Sequence, residues 1–227
     1  RKVGVRHAGR IGSKLGYKIS GQFYSGNDWE YVDPVEEAAK AADPALRGRD
    51  FGLERRSGSV RLDYRANDDL SAVFAAGYNS ADNIELTGLG AGLTQGWALG
   101  YYQARFLYKD WFAQIYQNWS DAGDTFLLRN GDPIVDNSKM TAMQVQHSAS
   151  LGVRQDFTYG VDLLYTRPDT EGTVNGKNED TDDIDEFGAY LQSETALTNM
   201  LDLVLALRYD DHNRIADGEI SPRAALV

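Results

Sequence analysis

Apolar and polar residues alternate with a period of two along most of the chain. In the clearest segment, from Leu201 to Asp210, every odd position is leucine or tyrosine, and Asp202 and Arg208 occupy even positions. Similar alternation, over roughly eight to twelve residues, recurs about ten times, whereas helical periodicity is nearly absent. Because successive side chains of a strand point to opposite faces, the pattern predicts β-strands with one apolar and one polar face.

The connections between the predicted strands alternate between short and long. Short links are predicted near residues 9–16, 66–69, 109–111, 155–158 and 198–200. Long links are predicted near residues 27–55, 80–96, 120–139, 168–185 and 211–218. Bacterial outer-membrane barrels have this rhythm, with tight periplasmic turns and long extracellular loops. The sequence therefore predicts an all-β fold, an antiparallel up-and-down transmembrane β-barrel wall of about 11 strands.

Composition narrows the classes of function without changing this fold. The 227 residues include no cysteine, carry a formal net charge of −11 and have a mean hydropathy of −0.48. The missing cysteines exclude disulfide scaffolds and thiolate metal sites, and the acidic balance disfavours nucleic-acid binding. No apolar run approaches the roughly 20 residues of a membrane helix. The low mean hydropathy still allows membrane strands, because only every second residue of such a strand faces lipid.

Enzymatic signatures are lacking in the sequence. It contains no glycine-rich phosphate loop, nucleophile elbow or HExxH motif,. Its histidines, His7, His147 and His212, lie on separate predicted hairpins and form no catalytic pattern. The chain is therefore not expected to be an enzyme.

Two further patterns refine the barrel prediction. Residues Asp33 to Ala42 combine an N-cap aspartate, a proline at the first helical position, Glu36 three residues after the cap and an alanine-rich body. They predict one short helix within the longest loop. Aromatic residues such as Trp111 and Trp119 lie toward strand ends, where aromatic rings anchor barrels at the membrane interfaces,.

Three groups of candidate contact residues follow from these predictions. Loop aromatics that could stack on a ligand are Trp29, Tyr31, Trp97 and Phe126. Charged residues predicted to face the lumen are Arg61, Asp63, Arg105, Asp162, Glu194, Asp202, Arg208 and Asp210. Carboxylates that could bind a divalent cation on the acidic loop 179–186 are Asp180, Asp182, Asp183 and Asp185,. Loop packing, hydrated lining and a solvated charge run are the respective alternatives, and no other cofactor is predicted.

The last forty or so residues resemble a known family. The stretch Phe187 to Glu194 leads through a leucine-threonine turn at Leu197 into a leucine-rich strand that ends Leu-Arg-Tyr-Asp at Asp210, and a Ser-Pro-Arg strand start follows at Ser221. This order and spacing resemble the barrel of TonB-dependent outer-membrane receptors. Where that family often has glycine before the Leu-Arg pair, this chain has Ala206.

The resemblance implies a place in a larger protein. Receptors of this family have barrels of about 22 strands that enclose an N-terminal plug and are opened by the TonB energy-coupling protein. Residues 1–227 would then form part of one barrel domain, without the plug and the C-terminal strands. The lumen-facing residues would contact the plug. The implied partners are the remaining strands and plug, outer-membrane lipid and lipopolysaccharide, TonB and a small-molecule ligand.

The implied function is energy-coupled uptake of a scarce solute across the outer membrane of a Gram-negative bacterium. Siderophores, cobalamin, oligosaccharides and peptides are the solute classes that such a wall serves. Two alternatives remain at this point. One is a passive porin or other outer-membrane barrel, and the other is a soluble or surface-attached β-rich binding protein whose apolar face covers a core.

Overall fold

The computed structural model describes residues 1–88 and 90–227. Within them the chain forms twelve β-strands, one α-helix and one 3-10 helix. The strands are β1 (Lys2–Ile11), β2 (Leu15–Asn27), β3 (Gly52–Arg65), β4 (Leu70–Thr87), β5 (Gly90–Tyr108), β6 (Trp111–Asp121), β7 (Phe126–Leu127), β8 (Lys139–Leu151), β9 (Gln155–Arg167), β10 (Ile184–Thr198), β11 (Leu201–His212) and β12 (Glu219–Leu226). The helices are α1 (Pro34–Ala42) and a 3-10 helix (Gly176–Thr181).

Eleven strands form one antiparallel sheet in which each pairs with its neighbour in sequence, and the two-residue β7 adds to β5 outside this path. The all-β, up-and-down prediction of about 11 long strands is confirmed. The sheet is not closed in this chain, because β1 and β12 form its two edges.

The strand register gives the sheet two chemically different faces. Residues paired across antiparallel strands point to the same face. One such row crosses the sheet from β11 to β3 as Tyr209, Ala189, Val161, Val145, Ala113, Phe106, Ala72 and Tyr64. The next row on the opposite side reads Asp210, Gly188, Asp162, Gln144, Gln114, Arg105, Val73 and Asp63. We call these the apolar face and the polar face.

The two ends of the sheet differ in their connections. Tight turns at 12–14, 66–69, 109–110, 152–154 and 199–200 join the strands at one end. Long loops at 28–51, 122–138, 168–183 and 213–218 lie at the other, which we call the long-loop end. Among the described helices, none is both long and apolar enough to cross a membrane.

The sequence prediction is wrong for the second long link, residues 80–96. There β4 and β5 continue as a paired hairpin out to Thr87 and Gly90. Their pairing with β3 and β6 ends earlier, at Asp82 and Ala98. A register shift after Ala81 starts this extension, where the hydroxyl of Thr94 donates to the carbonyl oxygen of Asn83 at 2.9 Å. Ile84, Ala91 and Leu93 of this extension pack on the loop that follows β6.

The main buried cluster of the described residues lies at the long-loop end. Ala91 and Leu93 of β5 pack on Phe126 and Leu128 of the loop that follows β6, with Ile84 at the margin. Strand β7 pairs with β5 within this cluster, where Phe126 lies opposite Leu93.

The predicted loop helix is confirmed as α1. The Asp33 carboxylate accepts a hydrogen bond from the Val35 amide at 2.8 Å and caps the first turn. Glu36 does not complete the predicted capping box. Its carboxylate instead receives two hydrogen bonds from Arg49, at 2.6 and 2.8 Å, which tie the helix to the end of its own loop.

Strand β12 carries a proline at the open edge. Asp202 and Val227 exchange both backbone hydrogen bonds. Hydrogen-bonded and non-hydrogen-bonded pairs alternate along an antiparallel ladder, so the pair of Leu207 with Pro222 is a non-hydrogen-bonded one,. The ring nitrogen of Pro222 therefore faces away from β11, toward the outside of the sheet.

Candidate functional site

All eight charged residues that were predicted to line the lumen lie on the polar face, as the register shows. They are Arg61, Asp63, Arg105, Asp162, Glu194, Asp202, Arg208 and Asp210. In a membrane barrel, a face this charged would be unsuited to lipid, because an arginine at the bilayer midplane costs about 2–4 kcal/mol. Contact of these residues with a plug stays a prediction.

Arg208 forms the centre of the best-connected cluster on this face. Its guanidinium donates to the Asp162 carboxylate at 2.8 Å and to Asp210 at 2.8 and 3.0 Å. It crosses β10 directly over Gly188, where a Cβ would lie 2.2 Å from a guanidinium nitrogen. A Cβ at this position would displace the guanidinium, so Gly188 leaves the space through which Arg208 on β11 reaches Asp162 on β9,.

Tyr190 extends the Arg208 cluster toward β8. Its hydroxyl donates to the Gln146 side chain at 2.8 Å, and the Arg208 guanidinium lies 5.9 Å from its ring centroid. Sequence analysis predicted no separate role for Tyr190 or Gln146, because only the strand register brings them beside Arg208.

The other half of the polar face contains a simpler pair. Arg61 donates to Asp63, two residues along β3, at 2.6 to 3.1 Å. The Nε atom of Arg105 is buried and has no hydrogen-bond partner among the described residues. Glu194 and Asp202 form no ion pair within the part of the chain that the structure describes.

A cavity of about 600 Å³ opens on the polar face beside Arg208. It extends from Gln114 in the middle of the sheet to Asp217 in the loop before β12. Glu186 and Glu219 line its outer part, so its mouth is acidic.

Arg47 joins three segments at the long-loop end. Its guanidinium lies 3.4 Å from the ring centroid of Phe126 and donates to Asp124 at 2.8 Å and to Gln95 at 3.1 Å. The loop before β3 is thereby fastened to the loop after β6 and to the β4–β5 hairpin. The hydrogen bond from Arg47 lowers the pKa of Asp124.

Hydrogen bonds also connect the long loops that follow β6, β9 and β11. The Val135 amide donates to the Thr173 hydroxyl at 2.9 Å, and the Asn213 side chain donates to the Asp183 carbonyl oxygen at 3.0 Å. Within the acidic loop, the Thr170 amide and hydroxyl both donate to the Glu179 carboxylate, and this lowers the pKa of Glu179. The long loops thus form one continuous layer.

The four loop aromatics predicted as ligand contacts are not brought together. Trp29 and Tyr31 are exposed, with 91% and 57% of their surface accessible. Trp97 is half-buried and donates to the Ser120 hydroxyl at 3.0 Å. Phe126 is 2% exposed at the centre of the loop cluster. Its predicted ligand contact is therefore wrong for this structure, because Leu93 and Arg47 already occupy its two sides.

The acidic run also differs from a cation site. Asp183 and Asp185 pair with Arg167, and Asp182 accepts a hydrogen bond from Asn175. No group of three or more His, Cys, Asp or Glu side chains within the described residues is placed to hold a metal ion. The contacts of Asp183 and Asp185 with Arg167 hold the loop to the end of β9, and the contact of Asp182 with Asn175 lies within the loop.

The chain was compared with models of known protein families. The family model described as TonB dependent receptor-like, beta-barrel matches residues 10–227. The chain belongs to the TonB-dependent receptor barrel family. This family consists of transport receptors and not of enzymes. No curated protein matches the chain significantly.

Solved bacterial receptors and an iron transporter share the fold at low sequence identity. A mutant (G324V) of the ferric enterobactin receptor PfeA from Pseudomonas aeruginosa superposes with a TM-score of 0.63 at 13% identity, over 99% of this chain and 38% of that one. The siderophore receptor PirA from the same organism gives 0.62 at 13%, over 98% and 35%. The FrpB iron transporter from Neisseria meningitidis gives 0.61 at 14%, over 99% and 39%. The chain therefore spans less than two fifths of each of these proteins.

Proposed function

We propose that the chain is part of the barrel wall of an outer-membrane receptor that imports a scarce iron chelate by TonB-coupled transport. The family match over residues 10–227 carries this proposal. The two-faced sheet supports it, since the apolar face suits lipid and the polar face suits a hydrated lumen. Lipid and lipopolysaccharide would contact the apolar face, and a plug and TonB would complete the transport machinery.

The choice of an iron chelate rests on the structural relatives. PfeA and PirA are named as siderophore receptors and FrpB as an iron transporter. Their identity to this chain is 13 to 14%, so they support the solute class by analogy of fold alone,. Cobalamin, oligosaccharides and peptides are the competing solutes.

A deletion strain separates these solutes. The full gene is removed, and growth is measured under iron limitation with single ferric chelates, under cobalamin limitation, and on oligosaccharides or peptides as the nutrient. The proposal expects growth to fail on at least one ferric chelate, to return with the full gene and to require TonB. Normal growth on every chelate, or uptake that continues without TonB, would contradict it, and the second result would indicate a passive porin.

Trp29 and Tyr31 are the ligand contacts that the loop layer leaves available. Both lie on the loop before α1, and Trp29 makes no aromatic contact with other described residues. Replacing Trp29 with alanine in the full receptor should weaken ligand binding about tenfold, because exposed aromatic anchors carry a large share of binding energy. The matched control is Val35→Ala, an exposed apolar residue on α1, which should leave the Kd unchanged. Equal Kd values for wild type and Trp29→Ala would exclude this contact.

A further inference from the structure

The sheet has a step at its short-turn end, between β6 and β8. The pairing of β6 with β8 ends where Trp111 lies opposite His147. Strands β8 and β9 stay paired beyond that point, out to Leu151 opposite Gln155. The hairpin of β8 and β9 therefore extends past the tight turn between β5 and β6. We call the recess at this step the turn notch, and it is bordered by residues 108–111 and 147–150.

The backbone of β8 leaves a donor free in the turn notch. The Ser148 amide donates to the carbonyl oxygen of Asp110 at 3.0 Å, and this is the last backbone hydrogen bond across the step. Backbone N–H groups two residues apart in a strand point to the same side, so the amide of Ser150 also faces the side of β6. No described strand residue lies opposite Ser150 there, because β6 begins at Trp111.

A row of rings borders the notch on the apolar face. Tyr108, Trp111, His147 and Tyr159 lie opposite one another across β5, β6, β8 and β9. The rings of Trp111 and His147 stack at 4.2 Å between centroids, and the His147 Nδ1 atom lies 2.8 Å from the Tyr159 hydroxyl. These contacts fix the row, while the indole N–H of Trp111 has no acceptor within the part of the chain that the structure describes.

The tight turn brings both signs of charge to the notch. Lys109 and Asp110 are exposed, and neither forms an ion pair with a described residue. The Lys109 ammonium lies 5.6 Å from the ring centroid of Tyr108, which belongs to the apolar face. Asp69 adds a second carboxylate-bearing residue beside this turn, since its carbonyl oxygen accepts the Lys109 amide at 2.8 Å.

The backbone conformation of Lys109 supports a use for its charge. Its φ angle is +51°, in the left-handed region that favours glycine or asparagine,. Residues held in that region are concentrated at binding sites, where the surrounding structure offsets the strain.

We propose that the turn notch binds the headgroup of a phosphoethanolamine phospholipid. The phosphate accepts hydrogen bonds from the Lys109 ammonium, the Trp111 indole and the Ser150 amide, and the headgroup ammonium lies beside the Asp110 carboxylate. The acyl chains run along the apolar face, where the next row begins with Phe106. This inference goes beyond the proposed function and rests on it only for the placement of the apolar face in a membrane.

The balance of charge favours this headgroup over other phosphate compounds. A lipid of net negative charge would meet Asp69 and Asp110 beside one lysine, and like charges at close range oppose binding. A phosphate or phosphoethanolamine without acyl chains would leave the apolar side of the notch uncovered. A headgroup with both signs, attached to acyl chains, satisfies the charges and the apolar row together.

The test couples the lipid to the protein without a spacer. The full-length receptor is placed in detergent micelles with equal amounts of phosphatidylethanolamine and phosphatidylglycerol, and a water-soluble carbodiimide is added. The reagent activates a carboxylate, the headgroup amine then attacks it to form an amide, and the carboxylate oxygen leaves with the reagent as a urea. Peptide mass mapping measures the share of Asp110 that carries the headgroup. Asp68, exposed on the neighbouring tight turn, gives the background.

The proposal expects coupling at Asp110 to exceed that at Asp68 about tenfold, because the bound amine is held next to its carboxylate. Lys109→Gln and Trp111→Phe should each lower it about fivefold by removing one donor to the phosphate. The matched control is Arg154→Gln, which removes a cation from the next tight turn and should leave coupling unchanged. A larger share of phosphatidylglycerol, or added phosphoethanolamine without chains, should not displace the lipid.

Heat-modifiable migration on gels checks that each barrel is folded, and Lys109→Gln decides alone if Trp111→Phe does not fold. Equal coupling at Asp110 and Asp68, or full coupling in folded Lys109→Gln, would overturn the proposal. An equal loss in Arg154→Gln would do so as well, since it would indicate a general charge effect. Displacement by phosphatidylglycerol or by chain-free phosphoethanolamine would reject the proposed headgroup or the lipid as its source.

The coupling experiment needs no solute, so it separates this inference from the proposed transport. A receptor that supports growth on no ferric chelate but couples lipid at Asp110 loses its proposed solute and keeps the lipid site. A receptor that imports a chelate without selective coupling keeps its function and loses the lipid site.

Discussion

Gly123 and Gly152 both have positive φ angles, +60° and +68°, but their surroundings differ. A Cβ on Gly123 would lie 2.3 Å from the backbone oxygen of Gln95, whereas nothing lies within 4 Å of one on Gly152. Gly152→Ala should cost about 1 kcal/mol through backbone strain alone. Gly123→Ala should also push the loop after β6 away from β5. Hydrogen exchange of amides 124–136 measures this displacement, and equal exchange in both variants would refute the steric argument.

The pair of Glu36 with Arg49 is the least exposed ion pair of the loop layer, with 8% and 13% of the two side chains accessible. The hydrogen bonds that Arg49 donates to the Glu36 carboxylate raise the pKa of Arg49. Glu36→Gln leaves the largely buried arginine charge without its anionic partner and should lower the free energy of local opening by about 2–5 kcal/mol. The control is Glu54→Gln at the exposed pair with Arg56, which should cost below about 1 kcal/mol. Hydrogen exchange of α1 compares them, and similar losses would show that burial does not decide the effect.

At the scale of elements, the acidic loop has a pH dependence whose sign follows from Glu179. Its pKa is lowered in the folded loop from an ordinary 4.5, because Thr170 donates two hydrogen bonds to the charged form. The stabilisation is complete above pH 4.5 and is lost as the pH falls through the folded pKa. Proteolysis of residues 168–181 should therefore accelerate on acidification below 4.5. Glu179→Gln should remove this dependence, and an unchanged profile in that variant would assign the effect elsewhere.

Strands and helices were predictable from sequence wherever a local signal alone determines them. Alternation and turn spacing located the sheet strands, and the Asp33 cap with its following proline located α1. The β4–β5 extension was missed because apolar residues such as Leu93 look the same whether they face lipid or a loop. Phe126 was misassigned for a related reason, since its covering partners come from distant positions, among them Arg47.

At the scale of the whole molecule, the two faces make opposite predictions for adjacent positions of β11. Leu205 lies on the apolar face and Ala206 on the polar face. In the full receptor, Leu205→Arg should cost about 2–4 kcal/mol of folding free energy in lipid, the range for arginine facing the bilayer midplane. Ala206→Arg should be tolerated, because that side chain enters the hydrated lumen. Urea-dependent folding into vesicles measures both, and a larger cost for Ala206→Arg would reverse the assignment of the faces.

The division of the wall into lipid and lumen sides could be predicted from sequence, since it needs only alternation within each strand. The cross-strand contacts of the polar face could not be predicted, because they depend on which strand positions share a row. The register sets those rows through turn lengths and through the shift after Ala81. For the same reason, the link from Asp162 across Gly188 to Arg208 is visible only in the folded sheet.

Pro222 constrains whatever backbone lies next to β12. Its ring nitrogen points outward and has no hydrogen to donate, so a neighbouring carbonyl at that level is left without a partner,. In hydrocarbon such an orphan carbonyl costs several kcal/mol. A strand that continues the sheet must therefore carry a bulge, a hydroxyl or a trapped water opposite Pro222. The barrel wall would have a built-in weak seam there, which makes it the first place to look for lateral opening.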